Sequence, residues 1–132
     1  IKNVEKIEKG MKYINKEIIA DGGRIDILAK DNNEIYSIIE LKVKEDKELP
    51  WQCIYYPEVI REKFRTNKVR MITLCPEYRL PMKKTLSKIE NVEMLSYSLI
   101  LYQKKIIDIN IKKEPLFEGY IDYKQWLQSY KP

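Results

Sequence analysis

Three runs of alternating apolar and polar residues, separated by two very short turns, constrain the fold of this chain most. Residues 13–20 end at Asp21-Gly22-Gly23, residues 24–30 end at Asp31-Asn32-Asn33, and residues 35–43 follow, rich in β-branched side chains. Turns that short leave no room for a crossover, so the runs must pair antiparallel, as a meander. Strand side chains alternate between faces. Arg24, Asp26 and Leu28 are therefore expected on one face, with Ile25, Ile27 and Ala29 on the other. In the next run Tyr36, Ile38, Glu40 and Lys42 share a face, opposite Ile35, Ser37, Ile39 and Leu41. With the apolar faces turned to the core, Asp26 looks the same way as Glu40 and Lys42.

The rest of the chain reads as helix, strand, helix, strand. Pro50 suits the first turn of a helix, and Leu49, Cys53, Tyr56, Ile60 and Phe64 recur at helical steps. Pro57 is expected to interrupt that helix and to kink or restart it. Residues 69–74 read as a buried strand, 81–89 as a short helix and 92–102 as a long strand. Residues 106–111 alternate and suit an edge strand, and the segment around Trp126 suits a short helix against the core. The expected fold is α/β in the mixed-sheet, α+β sense, a single domain over residues 1–132. The first residue, Ile1, suggests a piece of a longer chain.

Composition narrows the chemistry. The chain has no histidine, which removes Ser-His-Asp and Cys-His nucleophile systems and histidine acid–base catalysis. Cys53 and Cys75 match neither a zinc pattern nor a disulfide framework. They are expected as buried free thiols, in keeping with a reducing cytoplasm. The longest nearly apolar stretch, 94–102, is about half of what a membrane span needs, so no membrane association is expected. Residues 61–88 hold nine Lys or Arg against two Glu, an excess of seven where the whole chain carries five. Such a stretch is either a solvated face or a surface that tracks phosphates. Arg61, Arg65 and Lys68 within it, with Arg24 and Lys44, are the candidate nucleic-acid contacts.

The turn between the second and third runs limits their register. Asp26 must lie opposite Ile38 or opposite Glu40, which makes the two acids direct or diagonal neighbours. Carboxylates about 5 Å apart repel by roughly 3 kcal/mol at an effective dielectric of 20. Keeping them together requires a cation or a shared proton. Magnesium or manganese fits, with Asp26 and Glu40 as ligands and the Leu41 carbonyl as a third. Lys42 could then reach an attacking water or a phosphate oxygen. The plain alternative is an ion-pair ladder of Asp26, Glu40 and Lys42 on a wet face.

Gly23-Arg24-Ile25-Asp26-Ile27-Leu28 followed by Ile38-Ile39-Glu40-Leu41-Lys42 resembles the signature of the PD-(D/E)XK, restriction-endonuclease-like superfamily. The form is similar to the nuclease domain of NucS-type endonucleases, and Gln52 and Tyr56 match that group's Q-x-x-x-Y. The similarity runs over residues 8–97. It implies a restriction-endonuclease-like core and a metal-dependent endonuclease acting on DNA. Asp26 and Glu40 would bind the metal, Lys42 would serve catalysis, and Gln52 would support the site or contact substrate. A homodimer would suit a nuclease that cuts two strands. Two departures stand out. The family's upstream acid has only Glu5 and Glu8 as weak stand-ins, both read as surface charges. Its N-terminal DNA-binding domain is not in these residues. Two alternatives keep the fold without the same role: a non-catalytic nucleic-acid-binding or assembly module, and an effector domain cutting RNA or single-stranded DNA.

Overall fold

The two turns close as their residues dictate. Gly22 takes a φ of +83°, a conformation in which a side chain is strained. At the second turn the Asp31 carboxylate accepts the backbone N–H groups of Asn33 and Ile35, at 2.8 and 3.0 Å. Between and after them run β1 (Lys12–Ala20), β2 (Gly23–Lys30) and β3 (Tyr36–Leu41), which pair antiparallel as expected. The computed structural model describes residues 4–114 and 126–128. Its further elements are α1 (Leu49–Phe64), β4 (Val69–Cys75), α2 (Leu80–Leu86), β5 (Val92–Tyr102) and β6 (Lys105–Lys113).

One six-stranded sheet results among the described residues, in the order β1-β2-β3-β4-β5-β6. Strands β3, β4 and β5 run parallel, and β6 returns antiparallel at the edge. Parallel neighbours require crossovers, and α1 and α2 supply them. The expected mixed sheet with helices against it is therefore present. Trp126 is helical and buried with Leu127 against Ile35; the first part of the expected terminal helix, 123–125, lies outside the described residues.

Three expectations need correction. Helix α1 is continuous through Pro57. The lost backbone hydrogen bond is outweighed by packing, since Tyr56, Pro57 and Ile60 are all buried on the core side. Strand β3 stops at Leu41, leaving Val43 exposed. Strict alternation also fails in β2. Ile25 packs in the same cluster as Leu28 and Ile38, beneath α1, whereas Ile27, Ala29 and Ile39 belong to a second cluster with Val4 and Met11. The sheet centre is thus buried on both faces rather than one, and all seven residues of β4 are buried.

Arg70 shows how this centre tolerates charge. Although it lies in the basic stretch, its guanidinium is buried among Glu8, Asp31 and Glu93. Both Glu8 oxygens accept from it, at 2.7 and 2.8 Å. Glu8 is therefore half of a partly buried ion pair rather than a free surface charge, while Glu5 is exposed as expected. The network ties the N-terminal segment to β4, β5 and the β2–β3 turn. Truncating its cation leaves buried carboxylates uncompensated, which costs about 3–5 kcal/mol. Arg70→Ala should lower the unfolding free energy by that amount in urea titrations; a loss below about 1 kcal/mol would show that the network is not a support of the fold.

Candidate functional site

The β2–β3 ladder ends at Ile27 opposite Ile39. One step further in that register Asp26 faces Glu40, and there the strands exchange side chains in place of carbonyls. The Asp26 N–H donates to Glu40 Oε1 at 2.9 Å, and the Leu41 N–H donates to Asp26 Oδ2 at 2.9 Å. Each carboxylate thus caps a backbone donor of the opposite strand. That insertion opens the ladder at the point where alternation in β2 slips.

Glu40 is only 1% exposed. A wet ion-pair ladder does not describe it. Burial pushes the Glu40 carboxyl up to about 8, and the Asp26 carboxylate beside it adds to the rise; the Asp26 N–H and Lys42 oppose it. Lys42 Nζ lies 3.8 Å from Glu40 Oε2 and 3.3 Å from Asp46 Oδ2. The Glu48 N–H holds Asp46 at 2.9 Å and keeps its carboxyl below the usual range. Lys42 is also fixed through its backbone: its N–H donates to the Leu74 carbonyl, and the Tyr97 hydroxyl donates to its own carbonyl.

Helix α1 supplies the wall behind the acids. The Arg24 N–H donates to the Tyr56 hydroxyl at 3.0 Å, so this buried tyrosine serves the core and the site strand together. A Cβ on Gly23 would lie 2.3 Å from that hydroxyl, which is why glycine opens the motif. Gln52 precedes Tyr56 by one turn, and its Oε1 is buried without a hydrogen-bond partner. An orphaned amide oxygen at such a place suits a cation or a water bound to one.

Asp26 and Glu40 thus bring two carboxylates together at this point. Among the described residues no group of three or more His, Cys, Asp or Glu could hold a metal. What is present fits a hard ion that keeps several of its waters, as magnesium does. Cys53 and Cys75 are buried free thiols, as expected, and burial raises the pKa of both.

Not all the expected contacts meet here. Arg24 lines an open concavity with Asp26, and Lys44 is exposed two residues beyond Lys42. Arg61, Arg65 and Lys68 lie at the other end of the sheet. Lys68 precedes Val69, which pairs with Tyr36, whereas Glu40 pairs with Thr73, roughly 13 Å further along the strand. Arg61 is paired with Glu58, and Arg65 caps α1 in the left-handed conformation. The sequence reading missed Asp46, whose signal was its four-residue spacing from Lys42, and Tyr97, for which no local signal exists.

A family model described as the endonuclease NucS C-terminal domain matches residues 1–112. Endonuclease NucS of Methanocaldococcus jannaschii is 33% identical over 112 residues, 84% of this chain and 42% of that protein. A repair endonuclease from Pyrococcus abyssi is 31% identical with a TM-score of 0.59, over 70% of this chain and 40% of that one. A structure of EndoMS in complex with double-stranded DNA is 30% identical with a TM-score of 0.57, over 65% and 36%. The chain spans about two fifths of the length of these relatives.

Two outcomes follow from the geometry. Gly23→Ala should destabilise the protein by about 1–3 kcal/mol through overpacking. In thermal melts Tyr56→Phe, which removes the clashing oxygen, should recover part of that loss in the double variant; strictly additive losses would dissociate Gly23 from Tyr56. The second concerns pH. The folded state holds the Glu40 proton more tightly than the unfolded state, so its contribution is fully present below 4.5 and is lost as pH rises towards about 8. Without divalent cations wild-type stability should fall across that window relative to Glu40→Gln, by at most about 1.4 kcal/mol per pH unit. Parallel pH profiles of the two would refute the buried-acid assignment.

Proposed function

Because the chain belongs to the endonuclease NucS C-terminal domain family, we propose that it is a metal-dependent phosphodiesterase domain that cuts DNA, with a PD-(D/E)XK-type site. The observation that carries this reading is the exchange at Asp26 and Glu40, with a buried acid held against a half-buried one beside a single lysine. Buried acids are normally paired with a cation; here the one lysine is shared with Asp46 and Glu40 holds its proton instead, a place that a bound cation would complete. The DNA substrate is suggested by the double-stranded DNA held by EndoMS. The buried free thiols are in keeping with work in a reducing cytoplasm. Residues upstream of these, and a second copy to cut the second strand, would complete the assembly.

In this reading Asp26, Glu40 and the Leu41 carbonyl would hold a magnesium or manganese ion, and Gln52 would support the site. When bound, the ion polarises the phosphoryl group and acidifies water. The protein's own part is positional. Glu40 would have to give up its proton to serve as a ligand, and the Leu41 N–H that donates to Asp26 fixes the spacing of the two strands. Lys42 is held between Glu40 and Asp46, within 4 Å of both. There it orients the attacking water and offsets the negative charge that grows on the phosphoryl oxygens as the leaving P–O bond breaks. Tyr56 and α1 exclude bulk water from behind.

The test is cleavage of plasmid, branched and mismatched DNA with and without magnesium. Glu40→Gln and Asp26→Asn should abolish metal-dependent cutting. Lys42→Ala should slow it by about 10²- to 10³-fold. Equal cutting by wild type and all three variants would sink the proposal. Salt-sensitive DNA binding with no cleavage by wild type would favour the binding-module alternative instead.

A further inference from the structure

The open concavity beside Asp26 has a volume of about 430 Å³, and its outer wall belongs to β1 and β2: Tyr13, Lys16, Glu17 and Arg24. Strand β1 is the edge of the sheet, so an extended chain can enter from that side. The register places this wall directly against Asp26. Lys16 pairs with Ile27 and Ile18 with Ile25, which sets Glu17 across from Asp26. Lys16 is exposed, and no ion pair reaches its ammonium among the described residues. Arg24 is held only by a 4.0 Å approach to Glu17, with both side chains more than half exposed. Such a pair is worth little in water, so a phosphate can take the guanidinium from it. Tyr13 adds a half-buried ring to the lining, packed on one side against the cluster of Ile27 and Ile39.

We infer that this β1–β2 wall is the substrate-strand subsite: Lys16 and Arg24 hold the backbone phosphate next to the scissile one, and the Tyr13 ring supports its base. The inference rests on the nuclease reading of Asp26 and Glu40, and it places the main backbone contact on β1 and β2 rather than on residues 61–88. Lys16 on β1 and Arg24 on β2 line the concavity beside Asp26, and Lys42 follows the end of β3 beside Glu40, so a strand bound here would meet positive charge from the wall and from beside the acid pair. Guanidinium and ammonium groups on phosphates release counterions, and base–aromatic stacking tolerates any sequence. The wall therefore selects a flexible phosphate backbone and not a base sequence.

Fluorescence anisotropy with a labelled DNA duplex carrying a single-stranded end reads this subsite, with calcium in place of magnesium so that binding is seen without turnover. Lys16→Ala and Arg24→Ala should each weaken binding and flatten the salt dependence, log Kobs against log salt, by about 0.9. Tyr13→Leu should weaken binding about fivefold or more with the slope unchanged. Lys105→Ala, the same change of charge on the far edge strand, should alter neither. Unchanged slopes for both basic variants, an equal effect of Lys105→Ala, or no DNA binding by wild type would overturn the subsite. The two readings fail separately. Lowered slopes without cleavage by wild type would leave the wall and remove the nuclease, whereas metal-dependent cutting with unchanged slopes would remove only the wall.

Discussion

Everything distinctive in this structure depends on two hydrogen bonds that replace strand pairing at Asp26 and Glu40. A ladder normally pairs each backbone N–H with a carbonyl. Here the carboxylates take that place, and each strand end is secured by the other's side chain. The arrangement satisfies the backbone without closing the sheet, so two acids remain together at the end of β3. A neutral side chain at either position could still accept such a bond, but only an acid brings the charge. The bonds position the pair, and the pair's repulsion is left for something else to relieve.

Much of the scaffold was legible because it depends on local rules. Turn length and alternation dictate the meander, and the same register argument put Asp26 opposite Glu40 or one pair away from it. The rest depends on contacts that join distant residues. Nothing local says that Gly23 must be glycine; the reason is a tyrosine 33 residues on, whose hydroxyl occupies the space of a Cβ. Nor does the pattern of β2 show that alternation slips, because the slip follows from the opened ladder. Pro57 misleads for the opposite reason: its local cost is real, and the core around it is large enough to carry the helix through.

Charge was the least legible property, since counting residues says nothing about which end of a sheet they reach. The basic stretch spans the last turn of α1, β4 and α2, so its members point to different places. Arg70 is buried, Lys83 pairs with Glu114, and Arg61 pairs with Glu58. The parallel register of β3 and β4 carries the start of that stretch away from Glu40. Lys16 and Arg24 stand on different strands, yet antiparallel pairing sets them on one wall.

The two buried charge clusters make the clearest contrast in the molecule. At Arg70 three carboxylates gather on one guanidinium with its donors in use, an arrangement that binds four segments of chain and leaves no role for a ligand. At Glu40 the geometry is as tightly held, but the nearest cation is a lysine shared with Asp46, and the acid answers by keeping its proton. The same sheet that neutralises acids well at one place leaves them poorly neutralised at another. Deficits of this kind are characteristic of sites that bind something. A buried acid that keeps its proton beside a second carboxylate, more than the motif around it, is the physical argument for the cation proposed at the end of β3.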